Sequence, residues 1–82
     1  MGSTRSKRRP PELGHDLSKR ELEVLALLVE GLSNREIAER LTISPATVKH
    51  HVSACISKLE AANRGQAAII ALELNLVPRP QA

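Results

Sequence analysis

Two residues, Thr42 and Ile43, separate a helical pattern ending near Leu41 from a new helix start at Ser44-Pro45, and this short connection constrains the fold more than any other feature. So short a link cannot lay the second helix antiparallel beside the first, but it suits the sharp crossing of a helix-turn-helix. Other starts are marked by a polar N-cap followed three residues later by Glu or Gln, so that each side chain satisfies an amide of the first turn. Ser18 with Glu21 opens helix one, whose Leu22, Leu25, Leu28 and Val29 recur at helical spacing until Gly31 stops it. Ser33 with Glu36 opens a short helix two, about 34–41, with Ile37, Ala38 and Leu41 on one face and Ala38 small enough for the crossing. Ser44 caps helix three, about 45–59, and Pro45 takes its first position, where a missing N–H costs nothing. Asn63 with Gln66 opens helix four, about 64–77, which Pro78 ends. The expectation is an all-α four-helix bundle over 15–78, containing a helix-turn-helix, with 79–82 as a short C-terminal tail.

Composition removes several function classes. The 82 residues include no Phe, Trp or Tyr, so the core rests on Leu, Ile, Val and Ala. The stacking platforms of single-strand binders are missing, which argues against RNA and single-stranded DNA. The single cysteine forms no internal disulfide and no apolar run approaches membrane-spanning length, so a cytoplasmic protein with no membrane partner is expected. A chain this short has room for one domain and a tail, and no nucleophile and base stand out, so no enzyme is expected. Residues 1–14, MGSTRSKRRPPELG, combine small residues, a basic run and Pro10-Pro11, and read as a linker or tail outside the fold. The opening Met-Gly with Ser6 also fits a myristoylation pattern, but that pattern is short and the linker reading is preferred.

The net charge of +3 is unevenly placed. Through Arg20, the bases Arg5, Lys7, Arg8, Arg9, Lys19 and Arg20 oppose Glu12 and Asp16, so this part carries +4 and the remainder −1. What matters is distribution: acids crowd the first half, whereas Arg40 to Leu59 holds none. On a wheel of helix three, Val48, Val52, Cys55, Ile56 and Leu59 share one arc and face the core. The opposite arc carries Ala46, His50, Ser53 and Ser57, flanked by Lys49 on one side and Thr47, His51 and Lys58 on the other. Small and polar groups with cations at the edges suit a DNA major groove. Lys49 matches guanine O6 and N7, His50 and Ser53 reach other base edges, and Ala46 suits a thymine methyl. Thr47, His51, Lys58 and the amides at the capped starts of helices two and three face phosphates, where the helix dipole favours an anion. His51 and Cys55 lie one turn apart, but Cys55 falls in the core arc, His50 points away and a fourth ligand is missing. Neither metal nor cofactor is expected, and Cys55 reads as a small hydrophobe.

The stretch LSKRELEVLALLVEGLSNREIAERLTISPATVKHHVSACISKLEAANRGQAA resembles the C-terminal domain of the LuxR/GerE family, including NarL-like and FixJ-like response regulators. The resemblance lies in the Leu17-Ser-x-x-Glu21 opening, Gly31-Leu-Ser-Asn-Arg-Glu-Ile-Ala38, Ile43-Ser-x-x-Thr-Val-Lys49, His51-Val52, Lys58-Leu59 and Asn63-Arg64-x-Gln66-Ala67. It implies a bacterial transcription regulator that binds double-stranded DNA, with base contacts from Lys49, His50 and Ser53 and backbone contacts from Asn34, Arg35, Ser44, Thr47, Lys58 and Arg64. A sigma-factor region 4 shares the Glu-Ile-Ala and Thr-Val-Lys pieces, but His51-Val52 and the Asn-Arg-x-Gln-Ala start favour LuxR/GerE. A protein-interaction module that kept the fold and lost DNA binding is the other alternative. The family often has Gly after Leu59, where Glu60 stands here, so the link from helix three to helix four is expected to differ.

Helix four is apolar around most of its circumference. The resemblance places Ala67, Ala68, Ala71 and Leu72 towards the core and leaves Ile69 and Ile70 protruding beside Gln66 and Glu73. It implies a homodimer through a face of Ile69, Ile70 and Glu73, reading paired half-sites about one DNA turn apart. The same face also suits packing against an N-terminal receiver or ligand domain. RNA polymerase is the expected protein partner, and the bacterial nucleoid the expected location.

Overall fold

A computed structural model describes residues 13–80 and holds four helices: α1 (Lys19–Val29), α2 (Asn34–Leu41), α3 (Pro45–Lys58) and α4 (Arg64–Glu73). No strand occurs among the described residues. The starts follow the local chemistry read in the sequence. Ser18 and Ser33 each accept from the amide three residues on, and Glu21 and Glu36 accept in return from the Ser18 and Ser33 amides at 2.9 and 2.8 Å. Ser44 Oγ accepts from the Thr47 amide at 3.1 Å. At α4 the reciprocal arm is displaced: Asn63 Oδ1 accepts from the Gln66 amide, but Gln66 Oε1 accepts from Ala62 N–H at 2.6 Å.

Each helix stops in a left-handed residue. Gly31 has φ 91°, and Leu32 N–H reaches back to Leu27 O across it. Thr42, Glu60 and Asn75 take the same region at 60°, 56° and 57°, bridged by Ile43 N–H to Ala38 O, Ala61 N–H to Ile56 O and Leu76 N–H to Ala71 O. Glycine takes this region without penalty, whereas a Cβ makes it costly by roughly 1–2 kcal/mol. Glu60→Gly is therefore expected to stabilise the domain by about 0.5–1 kcal/mol, after the entropy that glycine adds to the unfolded chain, as a raised urea midpoint at unchanged slope.

Two boundaries differ from the sequence expectation. Helix four ends at Glu73 and not near Val77, because Asn75 turns the chain back and lets Leu76 and the buried Val77 pack on the core. Residues 1–12 of the expected tail lie outside the described residues, but Leu13 and Gly14 belong to the domain. Gly14, at φ 82°, is buried in a turn closed by Leu17 N–H to Gly14 O, and a Cβ there would stand 2.6 Å from Leu76 Cδ1.

α1 is the hub of the core and packs against the other three helices; α2 packs on α3 and α3 on α4, while the backbones of α2 and α4 stay apart. Val24 and Leu25 of α1, Ile37 of α2, Val48 and Cys55 of α3, Leu59 after it, and Ala67 and Ala71 of α4 are shut off from solvent. The two alanines let α4 lie close against its neighbours. Burial, seconded by the Glu21 carboxylate, pushes the Cys55 thiol up to about 11, which marks an inert packing residue.

Among the described residues, an ion pair joins α3 to α1 across the bundle. Lys58 Nζ donates to Glu21 Oε1 at 2.8 Å and to Asp16 O at 3.1 Å, joining the end of α3 to the start of α1. The Lys58 hydrogen bond, followed by that of the Ser18 amide, holds the Glu21 carboxyl below its ordinary value of 4.5, and the same pair raises Lys58 above 10.5. Glu21 thus contributes stability that is present above its unfolded value and lost as pH falls through the lower folded value. Lys58 contributes below its unfolded value and loses that contribution as pH rises through its higher folded value. Glu21→Gln is expected to flatten the loss of stability below about pH 4.5 in urea titrations at graded pH; an acid limb identical to wild type would contradict the pairing.

Candidate nucleic-acid interface

α2 packs on α3, and the carbonyl of the buried Ala38 anchors the turn between them by accepting from Ile43 N–H at 3.0 Å. With Val48, Val52 and Cys55 committed to the core, α3 turns Ala46, Lys49, His50 and Ser53 outward, and all four are exposed. Thr47 is exposed beside them. Its hydroxyl lies 2.9 Å from Ser44 Oγ. The two hydroxyls share one proton between them, so the other is left to donate outward. α1 and α2 carry an acid in the first turn and α3 carries none, so the start of α3 presents its dipole without an opposing carboxylate.

The remaining residues expected at phosphates divide. Arg35 is exposed at the start of α2, and Asn34 beside it is half-buried. Arg64 does not simply project to solvent: its guanidinium donates to Asn34 Oδ1 at 2.6 Å and to Leu32 O at 3.0 Å. His51 is half-buried, its ring centroid 6.1 Å from that of His50, and its Nδ1 is buried without a hydrogen-bond partner. Lys58 departs from the expectation. Its ammonium is turned towards α1, where it donates to Glu21 Oε1, the carboxylate that also caps Ser18, and to Asp16 O. Sequence reasoning found Glu21 as a cap and missed this second role; its partner stands 37 residues away and leaves no local signal.

On α4, Ile69 is 56% exposed, whereas Ile70 is half-buried against the core and so does not protrude as expected. Glu73 and Gln66 are exposed. The electrostatics follow placement and not total charge. Of the twelve Lys and Arg, Arg5, Lys7, Arg8 and Arg9 precede Leu13, and of the nine acids only Glu12 does; the described domain therefore balances eight cations against eight acids. Its positive character is local to the acid-free face from Arg40 to Leu59.

A recognition-type helix crossing a short capped helix at a small buried residue agrees with the comparison to known proteins. Residues 15–71 match the model of the family described as bacterial regulatory proteins, luxR family. The chain belongs to the luxR family of bacterial regulatory proteins. Among luxR-family and related sequences, it is 61% identical over 54 residues to the transcriptional regulatory protein LnrK of Bacillus subtilis (strain 168), which covers 66% of this chain and 24% of that protein. It is 48% identical over 66 residues to the response regulator protein VraR of Staphylococcus aureus (strain NCTC 8325 / PS 47), covering 80% of this chain and 32% of that protein. The solved structure of the transcription factor GerE superposes with a TM-score of 0.70 at 39% identity, covering 76% of this chain and 92% of the other. The chain thus spans about a quarter to a third of the length of these two regulatory relatives and nearly the whole of GerE.

Proposed function

We propose that the domain binds double-stranded DNA in a sequence-selective way, as the output domain of a bacterial transcription regulator, with α3 in the major groove. The observation that carries this reading is the outward row of Ala46, Lys49, His50 and Ser53 on an acid-free, capped helix. Lys49, His50, Ser53 and Ala46 read base edges; Thr47, Ser44, Arg35 and Asn34 hold phosphates around the starts of α3 and α2. His51 joins them if its proton sits on Nε2, which leaves only a lone pair at the buried Nδ1. Lys58 is withdrawn from this set. Selection from a random-sequence duplex pool is expected to enrich one short sequence, with affinity falling steeply as salt rises. Recovery of no common sequence, or affinity indifferent to salt, would refute the reading.

The longer relatives, one of them named a response regulator, support an upstream receiver domain; a cytoplasmic setting and RNA polymerase as the downstream partner complete the proposal. α4 is assigned to pairing with a second copy, centred on Ile69 and bordered by Glu73 and the half-buried Ile70. Ile69→Lys is expected to abolish cooperative occupancy of two half-sites while single-site affinity and thermal stability stay unchanged, read by gel shift on one-site and two-site duplexes. Cooperativity that survives this change would remove α4 from the interface.

A further inference from the structure

We propose that Arg64 is a positioning residue that orients Asn34 for a phosphate and does not itself hold the DNA. The inference rests on the duplex-DNA reading above and concerns how one side of that site is built. The backbones of α2 and α4 do not pack on each other directly and are held through α1 and α3, so a side chain is what joins the start of α4 to the start of α2. The Arg64 side chain fills that role. It leaves the first residue of α4, donates through Nη1 to Asn34 Oδ1, at the first residue of α2, and donates through Nη2 to Leu32 O, in the turn just before.

The chemistry of the pair gives it a direction. A guanidinium only donates, so Asn34 must turn its carbonyl oxygen to Arg64. The Asn34 NH₂ group is then turned away from Arg64 and is free of that bond to donate to a phosphate oxygen, next in the chain to the exposed Arg35. The second bond, to Leu32 O, fixes where the turn holds that helix start. A planar fork reaching two acceptors is a task for arginine in particular; a lysine ammonium carries the same charge without the geometry.

The test measures binding of a fluorescent mixed-sequence duplex across a salt series, since phosphate contacts do not depend on sequence. Arg64→Ala and Arg64→Lys are both expected to weaken binding about tenfold with the salt slope unchanged, and Arg64→Ala is expected to add nothing to Asn34→Ala. Restoration by lysine, a slope shallower by about 0.9 for the alanine variant, or multiplicative losses in the double variant would make Arg64 a direct phosphate contact and overturn the proposal. Asn34→Asp keeps an oxygen for Arg64 but replaces the outward NH₂ with an acceptor. It is expected to lose binding at least as strongly while its melting temperature holds, even if Arg64→Ala proves too unstable to assay. Wild-type affinity in Asn34→Asp would equally overturn the proposal. Absence of salt-dependent duplex binding by the wild-type chain would instead remove the DNA reading itself, whereas wild-type binding with rescue by lysine removes only the role of Arg64.

Discussion

Replacing Thr47 and Lys49 together by alanine is expected to lower affinity for the selected duplex about a hundredfold and to leave the melting temperature where it was. A bidentate side-chain contact to a guanine discriminates by about 1–3 kcal/mol and a hydrogen bond to phosphate adds about 1 kcal/mol, so the pair together reaches roughly 3 kcal/mol. That is about two decades in affinity. Both side chains are exposed, so their loss opens no cavity. The cap also survives, because Ser44 Oγ accepts from the backbone N–H of residue 47, a bond that does not need the Thr47 hydroxyl. Lys49→Ala alone should relax preference at one base pair, whereas Thr47→Ala alone should weaken all sequences alike. Fluorescence anisotropy on the selected duplex and on single-base variants separates the two. Unaltered affinity in the double variant would mean that α3 is not the reading helix.

The second large effect is expected at the crossing. Ala38 is 3% exposed on α2, the helix that packs on α3, and in the sequence reading its small side chain is the one that permits their crossing. Leucine at this position adds three carbons to a site without room for them. Overpacking of this kind costs about 1–3 kcal/mol, a large share of the few kcal/mol that hold a domain of this size. The melting temperature should fall by roughly 5–20 °C, read by far-ultraviolet circular dichroism. DNA affinity should fall further than the folded fraction explains, since the start of α2 moves away from that of α3 and the phosphate groups no longer match. Ala38→Gly is the control: it costs about 1 kcal/mol of helix propensity but keeps the crossing, so its folded fraction should bind normally. Equal losses of binding in the two variants would break the link between crossing and recognition.

Local chemistry was legible in the sequence and long-range chemistry was not. Ser18, Ser33, Ser44 and Asn63 mark helix starts because a cap and its amide stand three residues apart, and the wheel of α3 sorted Val48, Val52 and Cys55 from Ala46, His50 and Ser53 because its period is that of the helix. The end of α4 was misread. Pro78 is the visible breaker, but Asn75 stops the helix earlier, and its left-handed turn accompanies the packing of Leu76 beside Gly14, more than sixty residues away in the chain. For the same reason Gly14 was placed in the tail. Lys58 and Arg64 are cations at the rim of a DNA-binding face in sequence, and only their partners, 37 and 30 residues distant, reveal that each is held by the protein itself. Ile70 was expected to protrude with Ile69, but neighbouring residues on a helix point about 100° apart, and the bundle covers one and not the other.

The even balance of cations and acids in the folded body bears on how such a regulator finds its target. Loose attachment to arbitrary DNA grows with every phosphate neutralised, and a genome offers about 10⁶–10⁹ wrong positions against a few right ones. In the proposed DNA reading the balanced body adds no overall attraction of its own, so the general grip falls to the acid-free stretch 40–59 and the basic run before Leu13, while the outward side chains of α3 choose between sequences.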